Sequence, residues 1–216
     1  MWALWKEAFK NRLFIIFLLT SLIGLVAFAA VLPHFFIEIL FPKPGIILTD
    51  PILNFFIPKD WSIEIFILIY LCAVVSLFFN FANPKAILIG LQTYVVVNFM
   101  RITSLYLFTL EAPEGIIPLS DPFLAVFAYG QPIYVKDLFF SGHISTLCVF
   151  LFIENRRVLK YFILVATIVV AVMFAWQRVH YTLDMVAAPL ITWLVYLFFN
   201  SVNSRFIKND SNHSAS

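Results

Sequence analysis

Ser141-Gly142-His143 opens one apolar stretch of this chain, and His180 with Asp184 opens another, 37 residues beyond the first histidine. His180 and Asp184 are four residues apart, so on a helix they share a face, one turn apart. A carboxylate one turn from an imidazole can hold the ring's tautomer and stabilise the imidazolium, which leaves the other ring nitrogen free to attack. A second histidine, His143, can protonate a leaving alkoxide as general acid. Ser141-Gly142 at a helix start offers a hydroxyl, an approach unobstructed by a side chain, and unpaired backbone N–H groups for an anion. Arg101, with Asn98 three residues earlier on the same face, can neutralise charge developing on phosphate oxygens. Two histidines, a carboxylate and a permanent cation suit transfer of a phosphoryl-type group.

Each of these residues also has a plainer reading. His180 and Asp184 could be a helix-stabilising pair, Arg101 could snorkel to an interface, and Ser-Gly could be a structural helix start. Two histidines and a carboxylate could also bind zinc, a reading that leaves Ser141-Gly142 and Arg101 unexplained. No metal-spaced cysteine pattern occurs; Cys72 and Cys148 lie inside apolar segments and read as small core residues.

The elements that must position these groups are membrane helices. Of 216 residues, 62% are hydrophobic and 12% charged, with a mean hydropathy of +0.97. A water-soluble globule of this size cannot bury so much apolar surface. Six apolar stretches stand out, at about 13–32, 62–82, 86–110, 138–154, 158–177 and 179–199. Runs of this kind are not the alternating segments of an outer-membrane barrel. The expectation is an all-α integral membrane protein, one six-helix catalytic domain over 1–208, with a polar disordered tail at 209–216. The fourth stretch is short for a span, so it tilts little or its end is sunk below the interface. The first has a basic start and an Ala27-Phe28-Ala29 sequence resembling a cleavage site, but its apolar run exceeds a signal peptide's core, so an uncleaved signal anchor is expected.

Orientation follows from the positive charges. With the N-terminus cytoplasmic, nine Lys and Arg fall on inner segments and four on outer ones, Arg101 lying within the third span. Both termini are then inside. The third span runs outward and the fourth and sixth run inward, so Arg101, His143, His180 and Asp184 converge at one depth near the outer face. Ionisable groups within spans mark functional sites by default. The outer segments, about 33–61 and 111–137, carry most of the prolines together with Phe35, Phe36, Phe41, Phe55, Phe56, Phe123 and Phe127, as suits a partly embedded interfacial cap. Glu111 and Glu114 lie on the side where a cationic head group would sit, though they also read as solvated loop acids. With a net charge of +2 and no basic run, nucleic acid is not an expected partner.

At these residues the chain resembles a known family. Ser141-Gly142-His143 followed by His180 and Asp184 is similar to the S-G-H … H-x-x-x-D signature of the type 2 phosphatidic acid phosphatase (PAP2) superfamily. Asp137 to His143 and His180-Tyr181-Thr182-Leu183-Asp184 resemble more specifically the D-x-x-[YF]-S-G-H and H-Y-T-[VI]-D motifs of its sphingomyelin synthase-like branch. Arg101-Ile102-Thr103-Ser104-Leu105-Tyr106, continuing to Leu110 and Pro113, is similar to that branch's R-x-x-T-x-Y … L-x-P element, with Ser104 in place of threonine. The phosphatase branch has proline where Phe140 stands, arginine where Phe174 stands, and a K-x6-R-P element that is missing here.

The resemblance implies a PAP2-like bundle in which His180 attacks phosphorus, Asp184 orients it, and His143 protonates the departing diacylglycerol oxygen. The phospho-head group on histidine then passes to an acceptor hydroxyl. Asp137 is a candidate to orient His143, and Arg101, Ser141 and Gly142 to bind phosphate. No metal or other cofactor is expected. The donor is a phospholipid, the acceptor a ceramide, a diacylglycerol or water. The reading is a lipid phosphotransferase; the alternatives are a lipid phosphate hydrolase and, from a different class, a non-catalytic membrane transporter or binding protein.

Overall fold

The computed structural model describes residues 2–122 and 135–213, with the side chains of 206–213 left out. Phe123 and Phe127 of the expected cap lie outside the described residues. Among the described residues seven α-helices follow in order: α1 Trp2–Ala8, α2 Arg12–His34, α3 Ser62–Asn80, α4 Pro84–Leu107, α5 Gly142–Ile153, α6 Arg157–Gln177 and α7 Thr182–His213. Among the described residues there is no strand, only an isolated bridge between Ile46 and Leu110. Five of the described helical segments are long and apolar enough to cross a membrane, and α5 is a shorter apolar helix. The all-α membrane bundle read from the sequence is the architecture observed.

The helix starts are written locally. Asn11 Oδ1 accepts from Phe14 N–H at α2, and Asn83 Oδ1 accepts from Ala86 N–H at α4, whose first residue is Pro84. Both are side-chain caps on donors that would otherwise lack a partner. Near its end α2 contains Pro33, and beyond it the chain widens into a π-helical turn, Phe35–Leu40. Phe36 and Leu40 of that turn are buried against Leu105 of α4. The helix α6 ends on Arg178, in the left-handed region at φ 57°, with Val179 N–H reaching back to Phe174 O.

The helix α4 packs against α2, α5 and α7, and α5 in turn packs against α3, α6 and α7. The site-bearing helices α4, α5 and α7 therefore share one core, with Val97, Ile144, Leu147 and Ala188 buried in it. At the end away from the site, Trp5 Nε1 donates to Phe81 O and Lys85 Nζ to Ser204 Oγ, so α1, the α3–α4 turn and late α7 lie together. There Glu154, fully buried, accepts from Asn80 Nδ2 at 2.8 Å and from Arg156.

The expected fourth span begins later than its apolar run. A helix of 12 residues is ~18 Å long, short of the ~30 Å hydrocarbon core. The remaining depth is made up by the segment 135–141, a non-helical strap in which Leu138, Phe140 and Ser141 are buried. Irregular backbone at membrane depth is tolerated only where protein satisfies its polar groups. That condition is met: Phe139 O accepts from Ser104 Oγ at 2.9 Å, Phe140 O from Arg101 Nε at 3.1 Å, and Ser141 N–H donates to Asp184 O.

Candidate active site

Ser141 caps α5, its Oγ accepting from Ile144 N–H at 3.4 Å. The same oxygen lies 3.0 Å from His180 Nε2. On the other side of the ring, His180 Nδ1 is 3.5 Å from Asp184 Oδ2, an electrostatic contact longer than a hydrogen bond. His180 and Asp184 are both buried. The two ring nitrogens are thus divided: Nδ1 faces the carboxylate, and Nε2 faces a hydroxyl. With the proton on Nδ1, Nε2 keeps its lone pair and can accept the Ser141 O–H, the arrangement a nucleophilic histidine needs.

His143 projects from the first turn of α5. Its ring packs edge-on to Phe66 of α3 and against Phe174 of α6, and Phe174 packs in turn against His180, at centroid distances of 5.7, 5.6 and 5.2 Å. The phenyl ring of Phe174, where the phosphatase branch has arginine, therefore lies between the two histidines. A cavity of about 50 Å³ is lined, among the described residues, by His143, His180 and Asp137 together with Ile116, Pro118, Leu119, Val135 and Val179. The sequence pattern brings both histidines and Asp137 to one space, although they come from three separate stretches.

Arg101 turns toward the segment 135–141. Its guanidinium is buried against the strap: Nη2 is paired with Asp137 Oδ1, and Nε donates to Phe140 O. A methyl group on Gly142 would lie 2.7 Å from Arg101 Cζ, so glycine is what allows this approach. Arg101 does not line the cavity, and Asp137, expected to orient His143, spends a carboxylate oxygen on Arg101.

Two polar anchors tie the loop segments to the site and were not found from the sequence. Gln177, fully buried, accepts from Trp61 N–H at 2.8 Å and donates to Ser62 Oγ and to Ile117 O, while Ile117 N–H returns to Gln177 O. It fixes the segment that supplies Ile116, Pro118 and Leu119 to the cavity. The Tyr181 hydroxyl accepts from Leu48 N–H and donates to Glu111 O. Glu111 also accepts from Lys136 Nζ at 2.7 Å and from Gly45 N–H. These partners are far apart in sequence, and no local period or motif spacing announces them. Arg178, the other cation near the site, turns to the backbone carbonyls of Glu114, Leu53 and Phe56. Among the described residues no three His, Cys, Asp or Glu gather with metal-ligand geometry.

Residues 136–201, from the strap through most of α7, match the family model described as PAP2 superfamily C-terminal. This supports a relationship to the PAP2 superfamily and, with it, an enzyme of the phosphatase or phosphotransferase type acting on lipid phosphates in a membrane. The matched residues include Asp137, Ser141, Gly142, His143, His180 and Asp184; Arg101 lies outside them. No curated protein matches the chain.

Two outcomes follow from this geometry. Gly142→Ala forces a methyl group into the Arg101 guanidinium and should cost ~1–3 kcal/mol of stability, as overpacking does. Arg101→Ala is itself destabilising, because it leaves Asp137 and Phe140 O without their partner. It also removes the clash, so the double variant should lose less than the sum of the two single losses in thermal unfolding of the lipid-bound protein. The Lys136 hydrogen bond, more than the opposing burial, holds the Glu111 carboxyl below its usual range, with Gly45 N–H adding to it. A lowered folded pKa gives stability that is present above the unfolded value of ~4.3 and is lost as pH falls through the folded one. The thermal midpoint of wild type should therefore exceed that of Glu111→Gln at neutral pH, and the gap should close on acidification below about pH 4.3.

Proposed function

We propose that this chain is a membrane enzyme that transfers a phospho-head group from a phospholipid to a lipid hydroxyl, in the manner of the sphingomyelin synthase-like branch. The observation that carries the reading is the single cavity shared by His143 and His180, with the His180 nitrogens divided between Asp184 and Ser141. His180 Nε2 attacks phosphorus, and the bond from phosphorus to the diacylglycerol oxygen breaks. His143 gives that oxygen its proton. The head group is then held as a phosphoramidate on His180. An acceptor hydroxyl loses its proton to His143 and takes the phosphorus, and the P–N bond breaks to restore His180. Asp184 stabilises the positive ring through both steps. The site faces the extracytoplasmic side and the termini the cytoplasm, a reading that rests on the nine-to-four distribution of positive charge.

Transfer is favoured over phosphatase chemistry by the lining of the cavity. Among the described residues its walls carry one carboxylate, two imidazoles and five apolar side chains, and no Lys or Arg. A phosphomonoester dianion needs cations to enter such a place; a phosphodiester carries one charge and, with an amine head group, none net. Apolar walls also favour a lipid hydroxyl over water as the second nucleophile.

The test uses purified protein in lipid, wild type beside His180→Ala, with head-group-labelled phospholipid and with or without ceramide or diacylglycerol. Label should move to the acceptor lipid in wild type and stay at background in the variant. Label released to water in wild type alone would make the chain a hydrolase. Equal background from both proteins would defeat the catalytic reading and leave a binding or transport role.

A further inference from the structure

We infer that Asp50, in the first outer segment, is a positioning residue that sets the geometry of His180 and Asp184; the inference rests on the roles proposed for those two residues. The helix α7 starts at Thr182, directly between them. The residue before it, Tyr181, has no side-chain acceptor to offer the first turn, because its hydroxyl is engaged with Leu48 and Glu111. The missing acceptor comes from 132 residues away. Asp50 Oδ2 accepts Thr182 N–H at 2.6 Å, and Asp50 Oδ1 accepts the Thr182 hydroxyl at 3.2 Å. The carboxylate is itself fixed by Ile52 N–H at 3.1 Å, and its negative charge suits a helix N-terminus.

The consequence for the site lies in how two neighbouring amides are shared. Asp184 Oδ2 accepts Tyr181 N–H at 3.1 Å and also faces His180 Nδ1 at 3.5 Å. Asp50 takes the next amide, Thr182 N–H, from outside. Asp184 Oδ1 has no hydrogen-bond partner among the described residues. Without Asp50, the half-buried Thr182 N–H, two residues before Asp184 at the same helix start, loses its carboxylate acceptor. Asp184 then has a competing attraction that draws it off the imidazole. Asp50 keeps Asp184 committed to His180 by removing the competitor.

Asp50 is also reachable. It lines a cavity of about 220 Å³ on the outer side of the catalytic segment, with Thr49, Asn54, Arg178 and Tyr181 among its walls. Since a water occupies ~30 Å³ of liquid, that space admits a formate ion at the position vacated by a truncated Asp50.

The experiment compares wild type, Asp50→Ala and Asp50→Asn as full chains in lipid, each with and without formate. Two readouts are taken: head-group turnover, resolved into kcat and KM, and deuterium uptake of the peptide spanning 178–186. Asp50→Ala should lower kcat ~10- to 100-fold, the scale of a displaced catalytic group, with KM changed less than about twofold. Its uptake should rise, and formate should reverse both changes saturably. Asp50→Asn, which keeps an acceptor oxygen, should fall between. Unchanged kcat and uptake in Asp50→Ala would overturn the inference, as would a raised KM with kcat preserved. So would an Asp50→Asn as impaired as Asp50→Ala, with formate inert, since that is general loss of structure. The exchange readout needs no turnover. A wild type without transfer activity but with formate-reversible uptake in Asp50→Ala would therefore refute the proposed reaction while leaving the anchor in place.

Discussion

A guanidinium buried in an apolar bundle has to be neutralised and hydrogen-bonded where it stands, and much of this molecule is arranged around Arg101 for that reason. The charge is met by Asp137 and one N–H by the carbonyl of Phe140. Both partners belong to the strap that descends into the membrane ahead of α5, so satisfying the arginine also fixes where α5 begins. Ser141 and His143 follow within three residues of Phe140. Gly142 is the point of closest approach, where a side chain would strike the guanidinium. Arg101 thus acts on the site by placing it, through a strap that has no helix of its own to satisfy its backbone.

A second set of constraints works from the long loop segments. The segments around 41–50 and 109–117 are drawn together by the Ile46–Leu110 bridge and by Lys136, which reaches Phe41 O, Lys43 O and Glu111. They are tied to the catalytic segment by Tyr181, by Asp50 and, through α6, by Gln177. Each tie uses a side chain to meet backbone groups that no regular helix meets, and Tyr181 and Gln177 do so from buried positions. The tyrosine and threonine between His180 and Asp184 therefore have a physical purpose: they join the catalytic turn to its cap. The cavity beneath is small, about 50 Å³.

What could be read in the sequence was whatever has a local period or a local motif. The long apolar helices were legible from their runs, and the Ser141 cap and the shared face of His180 and Asp184 from spacing alone. The gathering of residues from separate helices followed from topology, and Ser141 at the start of α5 does lie 3.0 Å from His180 beside α7. The pairing of Asp137 was not legible, because a carboxylate near two candidate partners gives no sign of which one it meets. The shortness of the fourth span was legible, but not that its helix begins only at Gly142: Leu138 to Phe140 are as apolar as a helix, and their departure from one follows from Arg101 and Ser104 claiming the carbonyls. Asp50 and Gln177 read as ordinary polar residues, since their partners lie more than a hundred residues off or on another segment.

The claim at the centre is that His180 carries the group being transferred. It is tested most directly by mixing the protein with phospholipid in the absence of an acceptor lipid, quenching in denaturant, and mapping the peptides by mass under alkaline conditions that preserve phosphoramidates. The peptide containing His180 should gain the mass of the phospho-head group, and that species should vanish on adding an acceptor at the rate product appears. The same mass on Ser141 or His143, or transfer proceeding with no modified peptide at any time, would contradict it.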